Sequence, residues 1–312
     1  MNTLIRNIEK FDKFLKLGSL ILGLSLPQVA GAQEIASKAF YQVPPTVSQK
    51  QTVRQLNIRQ QQYYSFTLEL CELVNVEFVN AMKNKISEVA PEVGQLRQLR
   101  EIILSENELR ELPASFYTLP NLEQADLSHN QFADMAAGFS RLPQLQVLHL
   151  NHNKIRTVAP EIGQMRALHT LNLSYNHLEM LPFEIGNVAH LKELAVSQNQ
   201  LREVPAQLFR LKELKTLALD FNQLTTLSRQ IGKARSLQTL VLGHNQLTSL
   251  PKSVTQLENL ELLDLSYNQL SALPASLQKM KNLRTLLLVG NNFSTAEKER
   301  IKQALPKAFI QF

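Results

Sequence analysis

The chain has 312 residues, 44% of them hydrophobic and 19% charged, a balance that excludes intrinsic disorder and supplies enough apolar side chain for a core. One cysteine, Cys71, excludes an internal disulfide framework and any multi-cysteine metal site, and the absence of Trp makes the core aliphatic. The formal charge of +6 is spread thinly, without the stripe of Lys and Arg that nucleic-acid binders concentrate, so nucleic acid is not expected as a partner.

Residues 1–32 place Arg6, Lys10, Lys13 and Lys16 ahead of an uncharged stretch that contains Pro27 and the small triplet Ala30-Gly31-Ala32. Charge, apolar run and small residues in that order match a secretory signal peptide cleaved after Ala32. The apolar run is shorter than the roughly 20 residues a bilayer core demands, so no stable membrane span is expected after cleavage. This places the protein outside the cell, in the periplasm or in the cell envelope. The competing reading is a cytoplasmic leader helix, because Ile5, Ile8, Phe11 and Leu15 recur at helical spacing.

Residues 33–52 read as a linker or N-terminal extension. The next segment, 53–75, begins a pattern that it keeps imperfectly: Val53, Leu56, Ile58, Gln61 and Tyr63 each stand 23 residues before Val76, Val79, Ala81, Asn84 and Ile86. Drift of that kind suits a terminal cap, whose outer face meets water. Cys71 has no base beside it in the motif and reads as structural.

Over 76–293 an asparagine recurs every 23 residues, ten times without a slip: Asn84, Asn107, Asn130, Asn153, Asn176, Asn199, Asn222, Asn245, Asn268 and Asn291. Around each the pattern is L-x-x-L-x-L-x-x-N-x-L, as in Leu168-His169-Thr170-Leu171-Asn172-Leu173-Ser174-Tyr175-Asn176-His177-Leu178. Leucines two apart fall on one side of an extended segment, with Asn172 and Ser174 on the solvent side. Successive units then pair as parallel strands about 4.8 Å apart, while wider return segments outside bend the array. The asparagine amide has two donors and an acceptor with which to satisfy backbone groups left open where each strand ends.

That pattern, continued by Leu181-Pro182-Phe183-Glu184-Ile185-Gly186, resembles the leucine-rich repeat proteins, in the class with this period that includes Ras-suppressor-like and bacterial members. The resemblance implies an α/β fold, a right-handed solenoid or horseshoe with a parallel β-sheet on its concave face. Residues 294–312 break the pattern. Ser294 and Glu297 form a capping box for a helix through about Ala304, and the apolar tail after Pro306 covers the last repeat.

No phosphate loop, nucleophile elbow, zinc-protease or kinase signature occurs, so neither catalysis nor a cofactor is expected. The place left for function is the set of variable side chains facing the hollow. The residue before each asparagine forms a column rich in His, Tyr and Phe: Glu106, His129, His152, Tyr175, Gln198, Phe221, His244 and Tyr267. Asp126, His149 and Thr170 stand beside it in the strands. Rings on a rigid strand give large contact area at small entropic cost, and the same rings equally suit packing along the turn. His129, His149 and His152 with Asp126 raise the idea of zinc, but the ligand count argues against a metal. The expected function is therefore a monomeric, non-enzymatic scaffold for a protein or peptide. An exported carbohydrate or cell-wall binder, or a cytosolic signalling regulator of the Ras-suppressor type, are the alternatives.

Overall fold

The computed structural model describes residues 39–312; the signal-peptide reading of 1–32 and the start of the 33–52 segment lie outside the described residues. Twelve short strands form one parallel sheet, from Gln55–Asn57 at one edge to Phe309–Gln311 at the other. From Gln55–Asn57 to Thr285–Leu287 each strand pairs with its neighbour at an offset of one repeat, as Thr170 with Glu193 and Leu171 with Leu194. The middle residue of each of these strands is buried and its flanks face the other way, as period-two alternation requires.

The return segments tighten into 3-10 turns, running from Pro91–Gln95 to Leu277–Lys279. Each buries at least one apolar residue against the back of the sheet, such as Val93, Phe116, Ile185 or Leu208. Neighbouring turns approach closely enough to exclude a side chain at Gly186, whose added Cβ would stand 2.5 Å from the carbonyl oxygen of Gln207. The core is one continuous aliphatic column between sheet and turns.

The asparagine ladder stitches coil to coil. Asn176 Nδ2 donates to the carbonyls of Leu150 at 2.9 Å, Leu173 at 3.0 Å and Ser174 at 3.2 Å, while its Oδ1 accepts the N–H of Ile155 at 2.9 Å. The same set recurs from Asn107 to Asn291, and Asn84 begins it by accepting from Gln61 and Tyr63. A buried backbone group without a partner costs about 1–3 kcal/mol, which each amide offsets for the N–H it alone satisfies, while carbonyls such as those of Leu150 and Leu173 are shared by two successive asparagines.

The two ends close the array in different ways. Phe40 bridges to Leu56 and the helix Val47–Lys50 follows it, so the latter part of the 33–52 segment extends the array rather than merely linking to it. At the other end the helix Thr295–Ala304 begins with Ser294 accepting the N–H of Glu297. Glu297 does not close the box on Ser294. Its carboxylate accepts the N–H of Leu273 at 2.9 Å and pairs with Arg300, which donates to the Leu273 carbonyl at 2.8 Å. The last coil supplies a better donor than the helix's own first turn. The tail then adds Phe309–Gln311 as the twelfth strand, its Ile310 level with Leu286.

Asn172 and Ser174 also depart from expectation. They lie on the inner side but are buried, because large neighbours such as His149 and Tyr175 overshadow small side chains at strand spacing. Asn172 Oδ1 accepts the N–H of Ser174 at 3.0 Å, which closes a local turn.

Candidate functional site

Four positions per coil border the hollow: the two strand residues that flank the buried inner leucine, and the two residues that precede the ladder asparagine. In the strands, Asp126, His149 and Asn172 are register partners, as are Gln124, Val147 and Thr170. The sheet thus brings the expected residues Asp126, His149 and Thr170 onto adjoining strands.

The column before the asparagines is held in a backbone conformation that L-residues seldom adopt. Glu106, His129, His152, Tyr175, Gln198, Phe221, His244 and Tyr267 all have φ between 52° and 57°, and Lys83 before them has 58°. Left-handed backbone costs about 1–2 kcal/mol at each non-glycine residue, and it persists because the strand must turn within two residues into the buried asparagine. Gly290 ends the column at φ 72°; a Cβ there would strike the Tyr267 ring at 2.6 Å.

Strand spacing then puts rings of adjacent coils at stacking distance. His129 lies 4.1 Å from His152 and His152 lies 4.0 Å from Tyr175, with interplanar angles of 11° and 12°. Beyond Gln198 a second stack begins: Phe221 to His244 at 3.9 Å, and His244 to Tyr267 at 4.3 Å. Such pairs contribute about 0.5–1.5 kcal/mol each, enough to offset part of the backbone strain. Tyr175, Phe221 and Tyr267 nonetheless remain exposed.

Two of the imidazoles are held neutral. Burial lowers the His149 pKa against the opposing pull of Asp126, and burial followed by the neighbouring His129 lowers that of His152. His129 and His152 spend their ring faces on each other, and among the described residues no group of three or more His, Cys, Asp or Glu is placed to hold a metal. Cys71 is buried, and burial followed by the nearby Glu92 pushes its thiol up to about 12, which leaves it unreactive.

Further carboxylates stand on the same wall: Glu101 and Glu193 in a strand column that the sequence already shows, and Asp220 in one that sequence reasoning passed over. Glu101 is raised in pKa by burial and then by Asp126; Glu193 is raised by burial against Lys215. Asp220 is raised by burial, which outweighs its hydrogen bond from Ser197, and Asp264 raises it further. Asp220 stands two residues before its asparagine, in a column that also holds Ser128, Ser174 and Ser266. Reading that column alongside the other three would have exposed it.

Two family profiles match the chain. One, described as leucine rich repeat, matches residues 79–132 and 235–293, and the other, a leucine-rich repeat region, matches 128–240, so together they run from 79 to 293. No curated protein matches in sequence. Among solved structures, an internalin from Listeria monocytogenes is similar at 20% identity and a TM-score of 0.72, over 86% of this chain and 82% of that one. That likeness shows the fold alone. A TDR receptor is 26% identical with a TM-score of 0.70, over 79% of this chain and 45% of the receptor. The plant peptide hormone receptor RGFR1 in complex with RGF2 is 25% identical with a TM-score of 0.67, over 78% and 40%. The chain spans less than half the length of either receptor.

Proposed function

The chain belongs to the leucine-rich repeat family, and from that premise we propose that it is a non-enzymatic scaffold that grips a protein or peptide across its inner wall, chiefly between His129 and His244. The observation that carries this reading is the exposed ring column, set on a backbone that ladder, sheet and stacking hold rigid. A preformed wall loses little entropy on binding, so its contacts translate into affinity. The similar plant receptor bound to RGF2 supports a peptide-sized partner.

Ring geometry counts against the carbohydrate alternative. Sugars stack on free ring faces, whereas both faces of His152 and His244 are covered by their neighbours. The middle of each stack therefore offers ring edges, beside the hydroxyls of Tyr175 and Tyr267, which suit polypeptide contacts. We also propose that the protein works outside the cytoplasm, on the order of residues in its leader. N-terminal sequencing of mature protein should then begin at Gln33; an intact leader would favour the cytosolic regulator.

The test is selection of displayed random peptides on the full chain. Peptides retained by the native protein should be lost on Phe221→Ala with His244→Ala. They should survive Met180→Ala with Phe183→Ala, which removes the most exposed apolar pair on the outer turns, 70% and 61% exposed. The reverse pattern would move the binding site to the outside.

A further inference from the structure

The inner wall carries charge of one sign. In the nine coils from Glu101 to Gly290, the four inner positions include Glu101, Glu106, Asp126, Glu193, Asp220 and Asp264 and not one Lys or Arg. The chain as a whole is at +6, so an anionic hollow sits in a cationic protein. Arg59 and Lys83 occupy inner positions only in the two coils before this stretch, and Lys215 lies near Glu193 without pairing with it.

The fold does not require these charges. Asp126 Oδ1 accepts the N–H of Ser128 at 3.0 Å and Asp264 Oδ1 that of Ser266 at 2.8 Å. At the equivalent position Asn80 and Asn172 make the same turn with a neutral side chain, both at 3.0 Å. An uncharged oxygen therefore suffices. Every ion pair among the described residues uses a carboxylate elsewhere, and none involves these six. All six are half-buried, and the pairs Glu101 with Asp126 and Asp220 with Asp264 repel each other, a cost that an incoming cation would relieve.

A second feature of the wall is also unspent. Ser105 and Ser174 are each 2% exposed, and their hydroxyls have no hydrogen-bond partner, while Ser128 and Ser197 in the same column give theirs to Asp126 and Asp220. Alternation along the strand puts these hydroxyls on the side of the carboxylates. At His152 and His244 both ring faces are covered, so a cation there would meet no aromatic face.

We propose that the occupant of the inner wall is an extended polypeptide segment rich in Lys or Arg, lying across the strands with its cations against these six carboxylates. The proposal rests on the reading of the hollow as the partner site and adds the chemistry of the partner. The cationic exterior repels such a segment and the hollow attracts it, so the charge pattern selects the face as well as the partner.

Peptides selected on the full chain should be enriched in Lys and Arg and should bind more weakly as salt is raised. Titration calorimetry should show affinity for a selected peptide falling at least about tenfold on Asp126→Asn with Asp264→Asn, an exchange the fold already makes at Asn80 and Asn172. Glu161→Gln with Glu184→Gln on the outer turns, the same change of charge, should leave it unaltered. Selected peptides without that enrichment, or binding the Asp→Asn protein equally while losing the Phe221→Ala, His244→Ala protein, would overturn the cationic partner and leave the hollow as the site. Peptides indifferent to every inner substitution, or no selected peptide at all, would overturn both.

Discussion

Replacing His152 by alanine removes two stacked faces, whereas replacing His129 removes one, because His152 lies between His129 and Tyr175 and His129 ends its stack. At about 0.5–1.5 kcal/mol per pair, His152→Ala should destabilise about twice as much as His129→Ala in denaturant titrations. Equal losses would mean that the rings merely sit side by side. The interior asparagines act on the backbone instead. Asn176→Ala leaves the Ile155 N–H without a partner and takes one of two donors from the carbonyls of Leu150, Leu173 and Ser174, and should cost about 1–3 kcal/mol. A loss under about 1 kcal/mol would show that water replaces the amide without penalty. The leucines and asparagines were legible because each plays one repeated role at one spacing. The left-handed column was not, since Tyr and Phe are poor left-handed formers and their conformation is imposed by the turn. One local signal existed: Gly290, the single glycine in that column, marks where the backbone wants positive φ. The stacking was derivable too, since parallel strands about 4.8 Å apart bring equivalent rings near contact.

At the scale of elements, the C-terminal cap rests on a clasp. The Glu297 carboxylate and Arg300 guanidinium hold both the N–H and the carbonyl of Leu273, and that hydrogen bond to Arg300 draws the Glu297 pKa down despite burial. Lowered in the folded state, Glu297 contributes stability above the ordinary carboxylate range and loses it as pH falls from that range through its own lowered value. Glu297→Gln should therefore lower the melting temperature at neutral pH and narrow its difference from the native chain in acid. A constant difference across pH would assign the clasp to packing alone. The sequence signalled the helix through Ser294, but the partner of Glu297 lies a full repeat away, where local spacing has no reach. Register is likewise long-range for the tail: Phe309–Gln311 reads as apolar cover and becomes a strand only because Thr285–Leu287 offers an open edge.

Over the whole array, the wall combines two titrating sets with opposite effects. His149 and His152 bind protons less readily folded than unfolded, so stability present above the ordinary imidazole range is lost as pH falls from that range toward their lowered values. Glu101, Glu193 and Asp220 bind protons more readily folded, so stability returns as pH falls further, through their raised values toward the ordinary carboxylate range. Melting temperature should dip on mild acidification, and His149→Asn should make the dip shallower; an unchanged dip would remove His149 from the account. Protonation of Glu101, Glu193 and Asp220 at their raised values also reduces the negative charge of the hollow, so a cationic segment should bind more weakly as pH falls through them. The inner wall as a surface was legible from the period, as were Glu101, Glu106, Asp126, Glu193 and Asp264 in its columns, whereas Asp220 and the close approach of Glu101 to Asp126 emerge only when the coils stack. The most direct measurement is a crystal structure of the full chain with a selected Lys- or Arg-rich peptide. It should show the peptide across the strands with its cations against Asp126 and Asp264. A peptide seated on the outer turns beside Met180 and Phe183 would contradict the account.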